Sequence, residues 1–238
     1  MAEPFDPAAD LADAPRTAAR LRPKDAATLI LVRRGKHPAV LMGRRAAGHV
    51  FMASKWVFPG GRLDRSDFRC PHAGDPDPAS LALLSSEVPP HRARALMLAA
   101  VRETWEETGL LLARKAPPAV VAGPWRGFRA LGALPHLQPL RYVARAITPP
   151  GRTRRFDARF FMADAGSLLD DAPTQGAGEL DEIAWVPLDQ TGELDLPAIT
   201  RFVIGEVRER LSQPDRAVPF VRFVRGRHQM SWSGDAPV

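Results

Sequence analysis

A layered α/β fold is the class this sequence predicts, and three observations predict it. Short apolar runs bounded by turn residues read as strands: Ala26–Arg33, Ala39–Arg44, Leu140–Ile147, Phe156–Met162 and Ile183–Val186. Two stretches, His91–Thr108 and Pro197–Leu211, have helical composition and stop signals. Strands and helices interleave without an internal repeat, the pattern of helices layered on a sheet, α/β or α+β.

The elements follow in order. Residues 1–25 are rich in Ala, Asp and Pro with little periodicity and read as a loose leader with at most one short helix. Thr28-Leu29-Ile30-Leu31-Val32 and Val40-Leu41-Met42 form two apolar runs joined by Gly35-Lys36-His37-Pro38, a hairpin-like turn. Trp56-Val57-Phe58 is a third run, stopped by Pro59-Gly60-Gly61. Residues 62–90 hold five prolines and four aspartates with little period, so they read as a long loop or insertion, with a short helix near Ala79–Ser85. The helix over His91–Thr108 is built from good helix formers and ends at Gly109. Pro197 sits at the first turn of the second helix. Val218–Val224 reads as one more strand, and 229–238 as a tail. One domain over 26–228 accounts for the 238 residues.

Composition removes several classes. Cys70 is the single cysteine, so neither a disulfide framework nor a cysteine zinc site can form. No stretch reaches 18 apolar residues, the span a membrane helix needs. The N-terminus lacks an apolar signal core and carries Glu3, Asp6, Asp10 and Asp13, and the C-terminus carries no peroxisomal address; the expectation is a cytoplasmic protein. Basic residues number 33 against 27 acids, and only four are lysine. Arginine makes planar bidentate contacts with phosphate, which suits an anionic partner, although a solvated arginine-rich surface explains the charge equally.

The chemistry concentrates on one helix. Glu103, Glu106 and Glu107 are spaced i, i+3 and i+4 and share a face. Like charges at that spacing, near a helix C-terminus, work against stability. Clustered oxygen ligands are what Mg²⁺ or Mn²⁺ require, and the competing reading is a solvated acidic face balanced by Arg102.

Residues 102–110 read R-E-T-W-E-E-T-G-L, and Val57-Phe58-Pro59-Gly60-Gly61 lies upstream. The combination resembles the Nudix hydrolase signature, G-x5-E-x7-R-E-U-x-E-E-x-G-U, with U a bulky apolar residue. The resemblance spans residues 26–190 and extends towards 228. It implies a Nudix-type α/β/α sandwich with a mixed sheet, a hydrolase of diphosphate linkages in nucleotide derivatives, and Mg²⁺ or Mn²⁺ as cofactor. By residue match it makes Glu103, Glu106 and Glu107 metal ligands, Arg102 the partner of a motif glutamate, and Gly60 and Gly61 the loop that approaches substrate. The motif places Arg102 14 residues after its glycine, whereas here it follows Gly61 by 41, so 27 residues are inserted. Arg94 stands where the early glutamate is expected, counting back from Arg102, and spacing assigns that role to none of Asp64, Asp67 and Glu87. Thr104 occupies a position that is bulky and apolar in the signature.

The split motif, with Val40–Arg45, Phe51-Met52 and Val57–Asp64, resembles the branch that contains the peroxisomal coenzyme A diphosphatases, and makes coenzyme A or its thioesters the leading substrate. Nucleotide sugars, dinucleotides and capped RNA remain open, as does a non-catalytic ligand sensor. Glu103, Glu179 and Glu182 are candidate general bases; the last two precede Ile183-Ala184-Trp185-Val186-Pro187-Leu188, which resembles a late Nudix strand. Arg44, Arg45 and Arg155 are candidate substrate arginines, from clusters that also include Arg152, Arg154, Arg159, Arg222, Arg225, Arg227 and His228. Phe51, Trp56, Trp125 and Phe128 could stack on a base or pack in the core. No RNA-binding signature is present, so the expected partner is a small nucleotide, with neither nucleic acid nor membrane. A homodimer stays open, and residues 62–90 are expected to be a lid, a dimer arm or a free loop.

Overall fold

The computed structural model describes residues 4–12, 17, 21–46, 48, 52–172 and 180–234. Its strands are β1 (Lys24–Arg33), β2 (Ala39–Arg45), β3 (Trp56–Val57), β4 (Gly60–Arg62), β5 (Ala113–Lys115), β6 (Ala133–Pro135), β7 (Arg141–Ile147), β8 (Phe156–Asp164), β9 (Leu180–Pro187), β10 (Pro219–Val224) and β11 (Arg227–Trp232). Its helices are α1 (Pro7–Ala12), α2 (Pro78–Glu87), α3 (Pro90–Thr108), α4 (Arg126–Ala130) and α5 (Ala198–Ser212).

Among the described residues, nine strands make one mixed sheet in the order β11-β10-β7-β8-β1-β2-β3, with β4 also pairing β1 and β9 pairing β2. β1–β8 and β10–β7 are parallel and the other pairs antiparallel. β5 and β6 form a small sheet of their own. The near-continuous apolar run of β1 follows from burial on both faces. Leu29 and Leu31 point to one core with Leu41, Phe161 and the α3 residues Leu96, Met97 and Ala100. Ile30 and Val32 point to the other with Val40, Met42, Val143 and the α5 residues Phe202, Val203 and Val207. Helices thus cover both faces, giving the expected α/β/α sandwich with a mixed sheet.

Residues 62–90 are folded and packed against the rest of the domain, so they are not a free loop. A 3-10 turn at Arg65–Phe68 is capped by Asp64 and Asp67 in a reciprocal capping box. Asp77 caps α2 through the Ser80 amide, and Leu84 is fully buried under that helix. Ser80 Oγ accepts from the Tyr142 amide at 3.0 Å, which ties α2 to β7. At the end of α2, Glu87 accepts from the Tyr142 hydroxyl at 2.9 Å and pairs with Arg145 at 3.3 Å. Burial first, and then the Glu87 carboxylate, push the Tyr142 phenol well above its usual range. Arg145 continues in a bidentate contact with Asp157, and buried Arg159 joins Asp157 to Asp25.

Two boundary expectations also change. The leader is not wholly loose: Asp6 caps α1, the Phe5 ring meets Phe202 edge-on at 5.9 Å, and Asp10 pairs with His228 at 2.9 Å. The leader also ends earlier than residue 25, because Lys24 and Asp25 begin β1 and pair with Phe156 and Asp157. Residues 229–232 belong to β11, in a hairpin with β10. The short helix agrees with the sequence reading; the early start of β1 and the strand β11 were missed because short polar-apolar mixtures gain order only from what they pack on.

The packing of α2 makes a direct expectation. Leu84→Ala should lower stability by about 2–5 kcal/mol, the range for a truncated buried leucine. Urea unfolding checks it; an unchanged midpoint would mean that the segment is detached from the core.

Candidate active site

α3 is the scaffold of the site. Pro90 fits its first turn, Ala93–Ala100 supply an apolar face, and Gly109 ends it with φ 74°, a left-handed conformation that favours glycine. Thr104, where the motif has a bulky apolar side chain, is buried and returns its hydroxyl to the Ala100 carbonyl at 2.8 Å, so its polar atom is satisfied inside the helix.

Arg102 is 3% exposed and sits at the centre of a hydrogen-bonded hub. Its Nε and Nη2 donate to the two oxygens of Asp67 at 2.9 and 3.0 Å. Nη1 donates to Glu103 at 2.8 Å and to Glu106 at 2.9 Å, and Nη2 also donates to the Arg62 carbonyl at 2.9 Å. Burial works against the guanidinium charge, but the carboxylates of Asp67, Glu103 and Glu106 more than offset it and hold Arg102 protonated well past its usual range. Asp67 is 0% exposed and accepts two further bonds, from Trp125 Nε1 at 3.0 Å and the Asp64 amide at 2.8 Å.

Asp67 therefore takes the place for which counting back from Arg102 found only Arg94. The signal was present on the other side of the gap: Asp67 follows Gly61 with five residues between, the G-x5-acid spacing of the signature. The extra residues fall after the acid, and the acid is an aspartate. Arg94 is an exposed α3 residue. Trp125, a candidate for base stacking or core packing, is a buried donor to Asp67, and its ring meets Phe128 edge-on at 5.2 Å.

β4 runs beside α3, and its two glycines make that approach sterically possible. A Cβ on Gly61 would lie 2.3 Å from Glu103 Oε2, and one on Gly60 would lie 2.6 Å from the Ala27 carbonyl oxygen of β1. At Gly60 only a bare Cα fits against the β1 backbone, whereas a methyl at Gly61 would have to push the Glu103 carboxylate aside. The Gly60 amide donates to Glu107 Oε2 at 3.0 Å, so the loop is tied to the helix as well as packed on it.

The cleft beside this hub has a volume of about 840 Å³. Gly60, Gly61, Asp64, Glu103 and Glu106 line one part of it, and Lys24, Arg45, Arg152, Arg154 and Phe156 line another. Burial pushes the Glu103 and Glu106 carboxyls up, and Arg102 pulls them back down. Hydrogen bonds from the Ser66 hydroxyl and amide hold Asp64 below its usual range. The donors available here are hard carboxylate oxygens, the chemistry that Mg²⁺ or Mn²⁺ prefers. Glu103 and Glu106 face the cleft and fit such an ion. Among the described residues, however, no three His, Cys, Asp or Glu side chains form a metal-binding cluster. The reason is visible in the bonding: Arg102 bridges Glu103 to Glu106, while Glu107, 7% exposed, is turned to the Gly60 amide.

The remaining expected site residues divide. Arg45 reaches the cleft. Arg44 and Glu182 do not line it: they face each other across β2 and β9 and pair at 3.4 Å on an exposed part of the sheet, so each serves the other. Arg155 is likewise engaged elsewhere, donating to the Thr148 and Leu21 carbonyls, and its neighbours Arg152 and Arg154 line the cleft in its place. Arg159 is enclosed in its carboxylate network. Glu179 and Phe51 lie outside the described residues.

Comparison with solved structures bears on the fold. A Nudix hydrolase from Alicyclobacillus acidocaldarius matches with a TM-score of 0.58 and 27% identity, over 82% of this chain and 97% of that one. The fold is that of the Nudix hydrolases. The Nudix domain of Shewanella oneidensis NrtR, solved with ADP ribose, matches with a TM-score of 0.49 and 16% identity over 86% and 97% of the two chains. A MutT protein from Bacillus halodurans gives 0.47 and 13% over 90% and 99%. No family model matches the chain, and no curated protein matches it. The Nudix fold is thus retained while the signature is interrupted between Asp67 and Arg102.

Two substitutions test the hub. Asp67→Asn should destabilise the protein by about 3 kcal/mol or more, because Arg102 then keeps a buried charge without its main counter-ion. Thermal or urea unfolding measures that loss, and activity should fall with it. Gly61→Ala should leave the fold largely intact and depress turnover, since the new methyl displaces the Glu103 carboxylate; steady-state kinetics beside circular dichroism separates the two effects.

Proposed function

We propose that the protein hydrolyses the diphosphate linkage of a nucleotide derivative with the help of Mg²⁺ or Mn²⁺, and that coenzyme A or an acyl-coenzyme A is its substrate. The observation that carries the reading is the placement of Glu103 and Glu106, from an R-E-x-x-E-E helix, in one cleft with Gly60 and Gly61. A divalent ion held by such carboxylates neutralises pyrophosphate charge and lowers the pKa of an attacking water. The chain's own residues supply the rest. Arg102 fixes the carboxylate pair from behind, β4 brings a bare backbone beside it, and Lys24, Arg45 and Arg154 line the cleft as cationic contacts for a polyanion. Glu103 is the reading's general base, as the buried carboxylate nearest Gly61.

The coenzyme A assignment rests on the split motif and on the cleft itself, whose volume and mixture of acidic, cationic and aromatic walls suit a long bipartite molecule. The sensor alternative drew on the missing early acid, and Asp67 supplies that acid. Nucleotide sugars, dinucleotides and capped RNA are the competing substrates for the same test.

Turnover of a nucleotide panel with Mg²⁺ or Mn²⁺ should show hydrolysis of coenzyme A, abolished by chelation and restored by adding metal back. Glu103→Gln and Glu106→Gln should each lower kcat by about 10²-fold or more, the scale on which loss of one catalytic base or charge acts. Hydrolysis of another panel member in preference to coenzyme A would move the substrate assignment. Absence of any turnover, with ligand binding retained by calorimetry, would favour the sensor.

A further inference from the structure

A second cavity lies on the other side of the Asp67 segment. It measures about 700 Å³ and is lined by Arg65, Arg69, Arg129, Phe68, Cys70 and Trp125, among others. Arg129 is the unusual member. It is 8% exposed, its Nη1 donates to the Ala133 carbonyl, and its Nε is buried with no hydrogen-bond partner. Arg159 and Arg210 also bury an unpartnered Nε, but Arg159 faces the carboxylates of Asp25 and Asp157 and Arg210 donates to three backbone carbonyls, whereas the Arg129 side chain, among the described residues, donates to the Ala133 carbonyl alone. Among the described residues no carboxylate pairs with Arg65, Arg69 or Arg129. The neighbouring acid, Asp67, already accepts from Arg102, Trp125 and Asp64. A guanidinium taken out of water without a counter-ion is costly, and two further cations on the same wall raise that cost.

We propose that this cavity is a second anion site, which takes a phosphoryl group between Arg65, Arg69 and Arg129. Guanidinium forks match phosphate oxygens in pairs, and a phosphate dianion supplies the charge that the wall lacks. The site is separate from the cleft that holds Glu103, but it shares the 3-10 turn Arg65–Phe68. That turn sends Asp67 into the hub and its neighbours into the cavity. Free phosphate and a phosphoryl group carried on a nucleotide present the same chemistry to this wall.

Cys70 provides the readout, being the only cysteine and part of the cavity wall. Burial, and then the Asp67 carboxylate, push its thiol up to about 12, so labelling is slow and responds to added negative charge. The experiment follows labelling by a neutral maleimide at constant ionic strength, without divalent metal, in Glu103→Gln/Glu106→Gln protein. Titration with inorganic phosphate should slow labelling roughly threefold or more at saturation, as expected when an occupied site shields the thiol. Removing the two exposed arginines with Arg65→Ala/Arg69→Ala should abolish the slowing while circular dichroism stays unchanged. A parallel titration with adenosine 3′,5′-bisphosphate distinguishes the sources: protection at lower concentration than phosphate marks a nucleotide-borne group, and protection by phosphate alone marks the free ion. No protection by either, or equal protection in the arginine double variant, overturns the proposal. Because the readout needs no turnover, its failure is distinct from failure of the diphosphatase reading.

Discussion

The buried pair of Arg102 and Asp67 is the constraint on which the site depends. A guanidinium and a carboxylate removed from water together lose hydration worth several kcal/mol per ion, and only near-complete hydrogen bonding returns it. Here the return is nearly full. Asp67 receives four bonds, and Arg102 gives bonds to three carboxylates and a backbone carbonyl. The partners come from three pieces of chain, so α3, β4 with the 3-10 turn after it and the segment around Trp125 are fixed against one another by this one pair.

That arrangement explains how two cleft-facing carboxylates stay close on one helix. Glu103 and Glu106 repel each other, and burial raises the cost of their charge. Arg102 lies between them and offsets part of that repulsion from the protein side, which leaves the cleft side for a cation. The glycines of β4 complete the geometry from the opposite wall: a backbone without Cβ can lie against Glu103 where any other residue would displace it.

Much of this was legible in the sequence. The strands β1, β2, β7 and β8 and the helices α3 and α5 stand out by apolar runs and stop signals, because their burial is strong enough to impose a pattern. The acidic helix face and the glycine pair were likewise visible. What was not legible depends on tertiary pairing. Asp67 keeps the five-residue spacing from Gly61, but counting back from Arg102 across the inserted residues hides it. Glu107 differs from Glu103 and Glu106 only through the amide it accepts from. Glu182, Arg44 and Arg155 had suitable chemistry, but strand register and backbone carbonyls claim them. A short helix in the leader was legible, but not the contacts that hold this segment, which come from Phe202 and His228 at the far end of the chain.

The docked segment between Asp67 and Arg102 has a consequence for how such a motif can change length. Thirty-four residues separate the two partners, against seven in the signature it resembles. Loop-closure entropy grows only with the logarithm of length, so the longer excursion costs about 1–2 kcal/mol more than the short one. Burial of Leu84 and the Glu87 contacts lie on the other side of that balance. Since the ion pair rejoins the chain at both ends of the excursion, additions there remain local events. The motif can be lengthened from within, while its two halves stay riveted in register.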